Sequence, residues 1–75
     1  MVEIVRTNDV GMIVFIEALL DDSDIPHQVA DRTMAILDGS INAIRMRVLV
    51  PENRELEARQ LLVDADLGEW LSRRR

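Results

Sequence analysis

Hydrophobic residues recur along the chain at two different spacings, and each change of spacing marks a predicted element. Val2–Arg6 carries β-branched residues at positions 2, 4 and 5, which is typical of a strand. From there to about Asp22, apolar residues return every three or four positions, which predicts a helix with one apolar side. Asn8 or Asp9 is expected to cap its first turn. The predicted apolar stripe comprises Met12, Phe15, Ile16, Leu19 and Leu20, with Ile13 at its edge.

The middle of the chain contains two further strand patterns. Ile25-Pro26 begins the next element, because proline is tolerated only at a strand start or edge, and a short strand is predicted that places Ile25, His27 and Val29 on one face. Arg45–Val50 shows the clearest alternation in the sequence. Its predicted faces are Met46, Val48 and Val50 on one side and Arg47 and Leu49 on the other.

A second helix follows the last strand. Pro51–Asn53 ends the strand and favours a helix start, and the helix is expected to run to about Asp66. Gly68 is its predicted stop, because glycine commonly follows a helix end. The residues predicted to face the core are Ala58, Leu61, Leu62 and Ala65.

The order strand, helix, strand, strand, helix predicts an α+β, two-layer ferredoxin-like sandwich (βαββα). Two strands that flank a helix run parallel, so the third strand enters between them, antiparallel to both. The expected antiparallel sheet order is 1-3-2 with both helices on one face, and the fourth strand is missing or replaced by the C-terminal tail. Residues 1–67 are predicted to form a single domain, and residues 68–75 a partly disordered tail.

Several apolar residues are left over after this assignment, and they indicate a surface for self-association. Leu56, Val63 and Leu67 form a second stripe on the opposite side of the second helix. Val14 adds to it, and the open sheet face is expected to show Val5 and Leu49. The alternative is that these are scattered surface residues over which the tail packs, with Trp70 as the covering side chain.

Composition narrows the classes of function. The chain has 75 residues, a net charge of -5 and no cysteine. The acidic balance argues against nucleic acid as a partner, since phosphate contacts require a basic surface. The longest apolar run, Met12–Ile16, is far below the ~20 residues of a membrane span. A cytoplasmic protein is therefore expected.

Two runs of residues carry a resemblance to a known family. The first comprises Arg6–Asp9, Glu17–Leu20 and Ile25-Pro26, and the second Arg45–Glu52 followed by Ala58 and Leu61-Leu62. Together they resemble the putative prokaryotic signal-transducing protein family of small bacterial domains. By fold that family is usually grouped with the GlnB-like (PII) nitrogen-signalling proteins. The resemblance supplies no catalytic residues, and Asp24 stands where such proteins usually carry glycine.

The residues that could support catalysis do not form a recognisable set. His27 is the only histidine, and a hydrogen-bonded strand histidine is favoured over a general base or metal ligand. The acidic group Asp21, Asp22 and Asp24 lacks a calcium-binding loop and is interpreted as a solvated corner. We expect no enzyme activity, no cofactor and no metal site.

The segment from Asp31 to Arg45 is the predicted binding region. It contains the turn signal Asp38-Gly39-Ser40, and the corresponding connection of PII proteins is a partner-binding loop. Because the segment also contains apolar residues, a structural lid is an equally good interpretation. The candidate binding residues are Arg32, Asp38, Ser40, Asn42 and Arg45.

The predicted function is a non-enzymatic regulatory or signal-transducing module that binds a protein partner or small metabolite. The alternative is a structural subunit that only self-associates, as a homo-oligomer.

Overall fold

The computed structural model describes residues 1–31 and 45–72. Each predicted element is present, although the second strand is shorter than expected. The two helices also begin and end close to their predicted bounds. The elements are β1 (Val2–Thr7), α1 (Val10–Asp22), β2 (Gln28–Ala30), β3 (Met46–Val50) and α2 (Glu55–Asp64), with 3₁₀ turns at Glu52–Arg54 and Gly68–Trp70.

The three described strands form one antiparallel sheet in the order β1-β3-β2, as predicted. β3 lies at the centre, and its residues Met46, Val48 and Val50 are buried against both helices in one core cluster. The molecule is therefore the expected α+β sandwich of one sheet and one helical layer. Thr7 pairs with Met46 at one end of β1, and Val2 pairs with Val50 at the other.

A β-bulge in β1 changes which side chains reach the core. Glu3 pairs with Leu49 and Val5 pairs with the next residue, Val48, so that Ile4 is an extra residue in β1. Because of this insertion Ile4 and Val5 are both fully buried. The prediction that Val5 lies on the open sheet face was wrong, since strict alternation does not hold across a bulge.

The open face of the sheet is more polar than expected. Paired strand residues share a face, so the register places Glu3 and Arg6 of β1 on this side together with Arg47 and Leu49 of β3. Arg6 bonds Glu3, and Arg47 Nε lies 3.2 Å from Asp31 Oδ2. Of the two apolar residues predicted here, only half-buried Leu49 is present.

Helix α1 is capped as predicted but rotated relative to the expected stripe. Asp9 Oδ1 accepts a hydrogen bond from the Met12 amide at 3.0 Å. The side chains at the centre of the buried face are Ile13, Ile16 and Leu20, whereas Phe15 is 49% exposed. At about 100° per residue, Phe15 lies well to one side of that centre.

Both helices end in the same hydrogen-bonded motif. At the end of α1 the amide of Ile25 donates to Leu20 O (2.9 Å) and that of Asp24 donates to Asp21 O (3.1 Å). This is a Schellman motif with Asp24 in the left-handed conformation, φ 55°. At the end of α2, Asp66 (φ 66°) has the same position, and the Leu67 amide donates to Leu62 O at 2.8 Å. Gly68, predicted as the stop, instead begins the following 3₁₀ turn.

The Schellman turn also decides which residues after α2 are buried. Ala58 and Leu62 face the core as predicted, and Leu61 and Ala65 pack against it. Leu56 and Val63 are exposed on the outer side of α2, which confirms two members of the second stripe. Leu67, its third predicted member, is only 8% exposed, because the turn at Asp66 directs it back to the core.

The C-terminal segment returns to the outer edge of β1. Leu71 forms an isolated antiparallel bridge with Val5, and the Ser72 amide donates to Ile4 O at 2.7 Å. Trp70 and Leu71 pack against the core, whereas Leu56 and Val63 are not covered by the described part of the tail. A ferredoxin-like sheet has its fourth strand beside the first, and here a one-residue bridge takes that place. The predicted boundary between residues 67 and 68 stays a prediction.

Replacing Asp24 by glycine is expected to stabilise the fold. The left-handed conformation costs an L-residue roughly 1 kcal/mol, and glycine adopts it freely. The free energy of unfolding, measured by urea denaturation, should rise by about 0.5–1 kcal/mol in Asp24→Gly. The control Ala18→Gly, at an exposed position in the interior of α1, should lower it by about 0.5–1 kcal/mol. Destabilisation by Asp24→Gly would contradict the assignment of strain.

Candidate functional site

An open groove of about 880 Å³ runs along β1, and we call it the β1 groove. One wall is β1 with the ends of β3, and the other is the start of α2 with the C-terminal segment. Most of its side chains are charged, and one is aromatic. It is lined by Val2, Glu3, Arg6, Arg45, Glu52, Glu55, Arg59, Glu69, Trp70, Leu71 and Ser72.

Charge is unevenly distributed along the β1 groove. Arg45 directly precedes β3, beside the Thr7 end of β1, and Arg6 lies at that same end. Glu52 follows β3 by two residues and therefore lies beside the Val2 end. The β1 side of the groove is thus basic at one end and acidic at the other, which sets a direction for any elongated ligand.

Arg59 connects the two walls of the groove. Its guanidinium bonds Glu55 Oε2 through Nε at 2.8 Å, Ser72 O through Nη1 at 2.5 Å and Glu3 O through Nη2 at 3.3 Å. The side chain is only 12% exposed. The planar fork of arginine suits several acceptors at once. This one residue therefore joins α2, β1 and the C-terminal segment.

Glu3 is the acceptor at the centre of the groove. Its carboxylate accepts hydrogen bonds from Ser72 Oγ at 2.6 Å and from Arg6 Nη2 at 2.9 Å. Burial alone would raise the pKa of Glu3. The hydrogen bonds from Ser72 and Arg6, together with the charges of Arg6 and Arg47, outweigh burial and hold this pKa below its ordinary value. Glu3 is therefore a stable anion within the groove.

The structure locates one of the five candidate binding residues. Arg45 is exposed and lines the β1 groove, where it makes no ion pair with any residue in 1–31 or 45–72. Arg32, Asp38, Ser40 and Asn42 lie outside the described residues. These four assignments stay predictions.

Sequence reasoning missed the other groove residues. The sequence contains a local signal for only one pair of them. Glu55 and Arg59 stand four apart, a spacing that predicts a pair on one helix. It does not predict that Arg59 turns toward β1. Glu3 and Ser72 are 69 positions apart in sequence, so their contact has no local signal.

His27 has a structural role in the described residues. Its Nδ1 lies 3.1 Å from Ile25 O, and since a carbonyl only accepts, Nδ1 is the donor. Nε2 lies 3.4 Å from Glu17 Oε2 and 3.7 Å from Asp21 Oδ1. These contacts hold the segment before β2 against α1. Within residues 1–31 and 45–72, no three side chains are arranged to hold a metal ion.

Comparison with protein families finds a matching family model. The model of the family described as "Putative prokaryotic signal transducing protein" matches residues 1–66, which include every helix and strand described above. The chain belongs to this family. No curated protein matches it. Neither helix in the described part of the chain has the length and apolar character needed to cross a membrane.

The match ends before the C-terminal segment that forms part of one wall of the β1 groove. Trp70, Leu71 and Ser72 lie beyond residue 66, whereas Glu3, Arg6 and Arg45 lie within the matched region. The family model therefore includes the charged β1 side of the groove and leaves out the segment that closes it.

Removal of Arg59 is expected to destabilise the protein strongly. Arg59→Ala removes hydrogen bonds to Glu55, Glu3 and Ser72 and leaves buried acceptors behind. The free energy of unfolding should fall by about 2–4 kcal/mol in urea denaturation. The control Arg54→Ala removes a half-buried arginine outside the groove that pairs with exposed Glu57, and should leave the urea midpoint close to that of the unchanged chain. Equal effects of the two substitutions would contradict the role given to Arg59.

Acid should weaken the Glu3 contacts. A glutamate whose pKa is lowered by folding adds stability above its unfolded value, about 4.3, and loses it as the pH falls through the lowered value. The urea midpoint should therefore drop below about pH 4 in the unchanged chain and drop less in Glu3→Gln. The control Glu52→Gln should follow the unchanged chain. If the urea midpoint fell in the same way with pH in all three proteins, Glu3 would not be responsible for the loss of stability in acid.

Proposed function

We propose that this protein is a non-enzymatic regulatory module that binds a protein partner through the β1 groove. The observation that carries the proposal is the exposed guanidinium of Arg45 at the basic end of that groove, without an ion pair in the described chain. The family description, a prokaryotic signal-transducing protein, is consistent with such a task. A chain without cysteine also suits the reducing bacterial cytoplasm.

The shape of the groove favours a protein over a small metabolite. Sites for small molecules are usually concave, mostly apolar and enclose most of the ligand. The β1 groove is open and lined mainly by arginine and glutamate. Arginine and tryptophan are enriched at protein interfaces, where a polar rim surrounds them. Arg6, with 52% of its side chain exposed, and half-buried Trp70 fit that description.

The chemistry of the groove supports a non-enzymatic role. A general acid or base works best with a pKa near the operating pH. The lowered pKa of Glu3 keeps it ionised, and its oxygens are already bonded to Ser72 and Arg6. Glu55 is bonded to Arg59. These carboxylates stabilise the fold and are poorly suited to transferring protons.

Substitution of Arg45 should separate binding from stability. Arg45→Ala is expected to reduce recovery of the partner at least about fivefold in affinity capture from a bacterial lysate, because the rim charge that orients the partner is lost. The melting temperature should stay unchanged, since Arg45 is exposed. Arg54→Ala is the matched control and should recover the partner fully.

Equal recovery by Arg45→Ala and Arg54→Ala would overturn the assignment of the groove. A titration of amide chemical shifts with nucleotides and metabolites provides the second test. Shifts of groove residues with one such compound, together with unchanged protein capture by Arg45→Ala, would replace the protein partner with a metabolite.

A further inference from the structure

The outer edge of β1 is only partly paired in the described chain. On its inner side β1 pairs with β3 from Val2 to Thr7. On its outer side Leu71 bridges Val5, the Ser72 amide donates to Ile4 O, and Arg59 Nη2 donates to Glu3 O. A strand edge presents N–H and C=O groups that can pair with an added strand. The β1 groove runs along this edge and leaves space for one.

The contacts of Ser72 show what the edge recognises. The Ser72 amide donates to Ile4 O at 2.7 Å, and its carbonyl accepts from Arg59 Nη1 at 2.5 Å. Its hydroxyl donates to the Glu3 carboxylate at 2.6 Å. In the first two contacts Ser72 contributes only backbone atoms, which every extended peptide has. The third selects serine or threonine.

The direction and charge of an occupant follow from the same geometry. Leu71 pairs antiparallel to β1, so a strand that follows its path has its N-terminal part toward Arg6 and Arg45. Its C-terminal part extends toward Glu52. A complementary strand therefore carries an acidic residue before its hydroxyl residue and a basic residue after it.

We propose that the β1 edge is a strand-acceptor site for an extended segment of a protein partner, and that Leu71–Ser72 is displaced when the partner binds. The segment has an acidic residue, an aliphatic residue, serine or threonine, and then a basic residue. This rests on the proposed function and specifies the form in which the partner binds. A partner strand that also pairs with β1 on the Thr7 side of Val5 gains more backbone hydrogen bonds than the one-residue bridge that it replaces.

A peptide with the sequence of residues 67–75, LGEWLSRRR, serves as the probe because it carries the proposed pattern. Its binding to the full chain is measured by fluorescence anisotropy of an attached dye. In Ser72→Pro the internal competitor loses both its amide donor and its hydroxyl. Leu71 already has φ -70° and ψ 138°, which a following proline tolerates.

Ser72→Pro should bind the peptide about tenfold more tightly than the unchanged chain, because a larger fraction of molecules has a vacant edge. Adding Glu3→Gln should weaken that binding, and adding Glu57→Gln, outside the groove, should not. A peptide with its acidic and basic residues exchanged is the specificity control. Circular dichroism verifies folding, and if Ser72→Pro does not fold, Ser72→Ala, which loses only the hydroxyl, decides the question.

Equal peptide binding by the unchanged chain and the Ser72 variant, or equal binding of the charge-exchanged peptide, would overturn strand addition. If partner capture still depends on Arg45 in that case, the proposed function stands without it. Light scattering tests for a different occupant of the edge, the tail of a second copy of the chain. A dimer of the unchanged chain that the peptide dissociates and that Ser72→Pro does not form would show that a second copy's tail fills the edge, and would overturn the partner assignment.

Discussion

The arrangement of this small protein depends on the guanidinium of Arg59. Its three hydrogen bonds join α2 to the backbone of β1 at Glu3 and to the C-terminal segment at Ser72. Without them the segment would be held to β1 by one bridge and the Ser72 contacts to Ile4 and Glu3. A largely buried arginine is stable only when its donors are matched, and Glu55 supplies the compensating charge. The groove has two walls because this one side chain reaches both.

The β1 groove lies between a strand that is fixed in the sheet and a C-terminal segment that has few backbone hydrogen bonds to it. β1 is fixed by its pairing with β3 and by the buried residues Ile4 and Val5. The segment Leu71–Ser72 has few backbone bonds to the sheet, and regions of that kind open at low free energy. A strand edge that is covered by another segment is protected from uncontrolled strand addition. In the strand addition proposed above, the same contacts also define the occupant of the edge.

Much of the fold could be predicted because it depends on local patterns. The alternation in β3 and the three- and four-residue spacing in α1 identified the elements and their order, and chain connectivity then restricted the sheet to 1-3-2. The errors arose where a few residues changed the pattern. The bulge at Ile4 buried Val5, and the left-handed turn at Asp66 buried Leu67. Neither position carries a glycine or proline to indicate it.

The sequence by itself determined the fold class, the family resemblance and the acidic net charge, and it suggested Arg45 as a candidate binding residue. The tertiary structure alone decided that Glu3, Arg59 and Ser72 meet. These residues come from a strand, a helix and the C-terminal segment, and Glu3 and Ser72 are separated by 69 positions. Local patterns report on neighbours along one element, whereas a hydrogen bond between distant segments exists only after the core has packed. That physical difference explains why the elements were predictable and the groove was not.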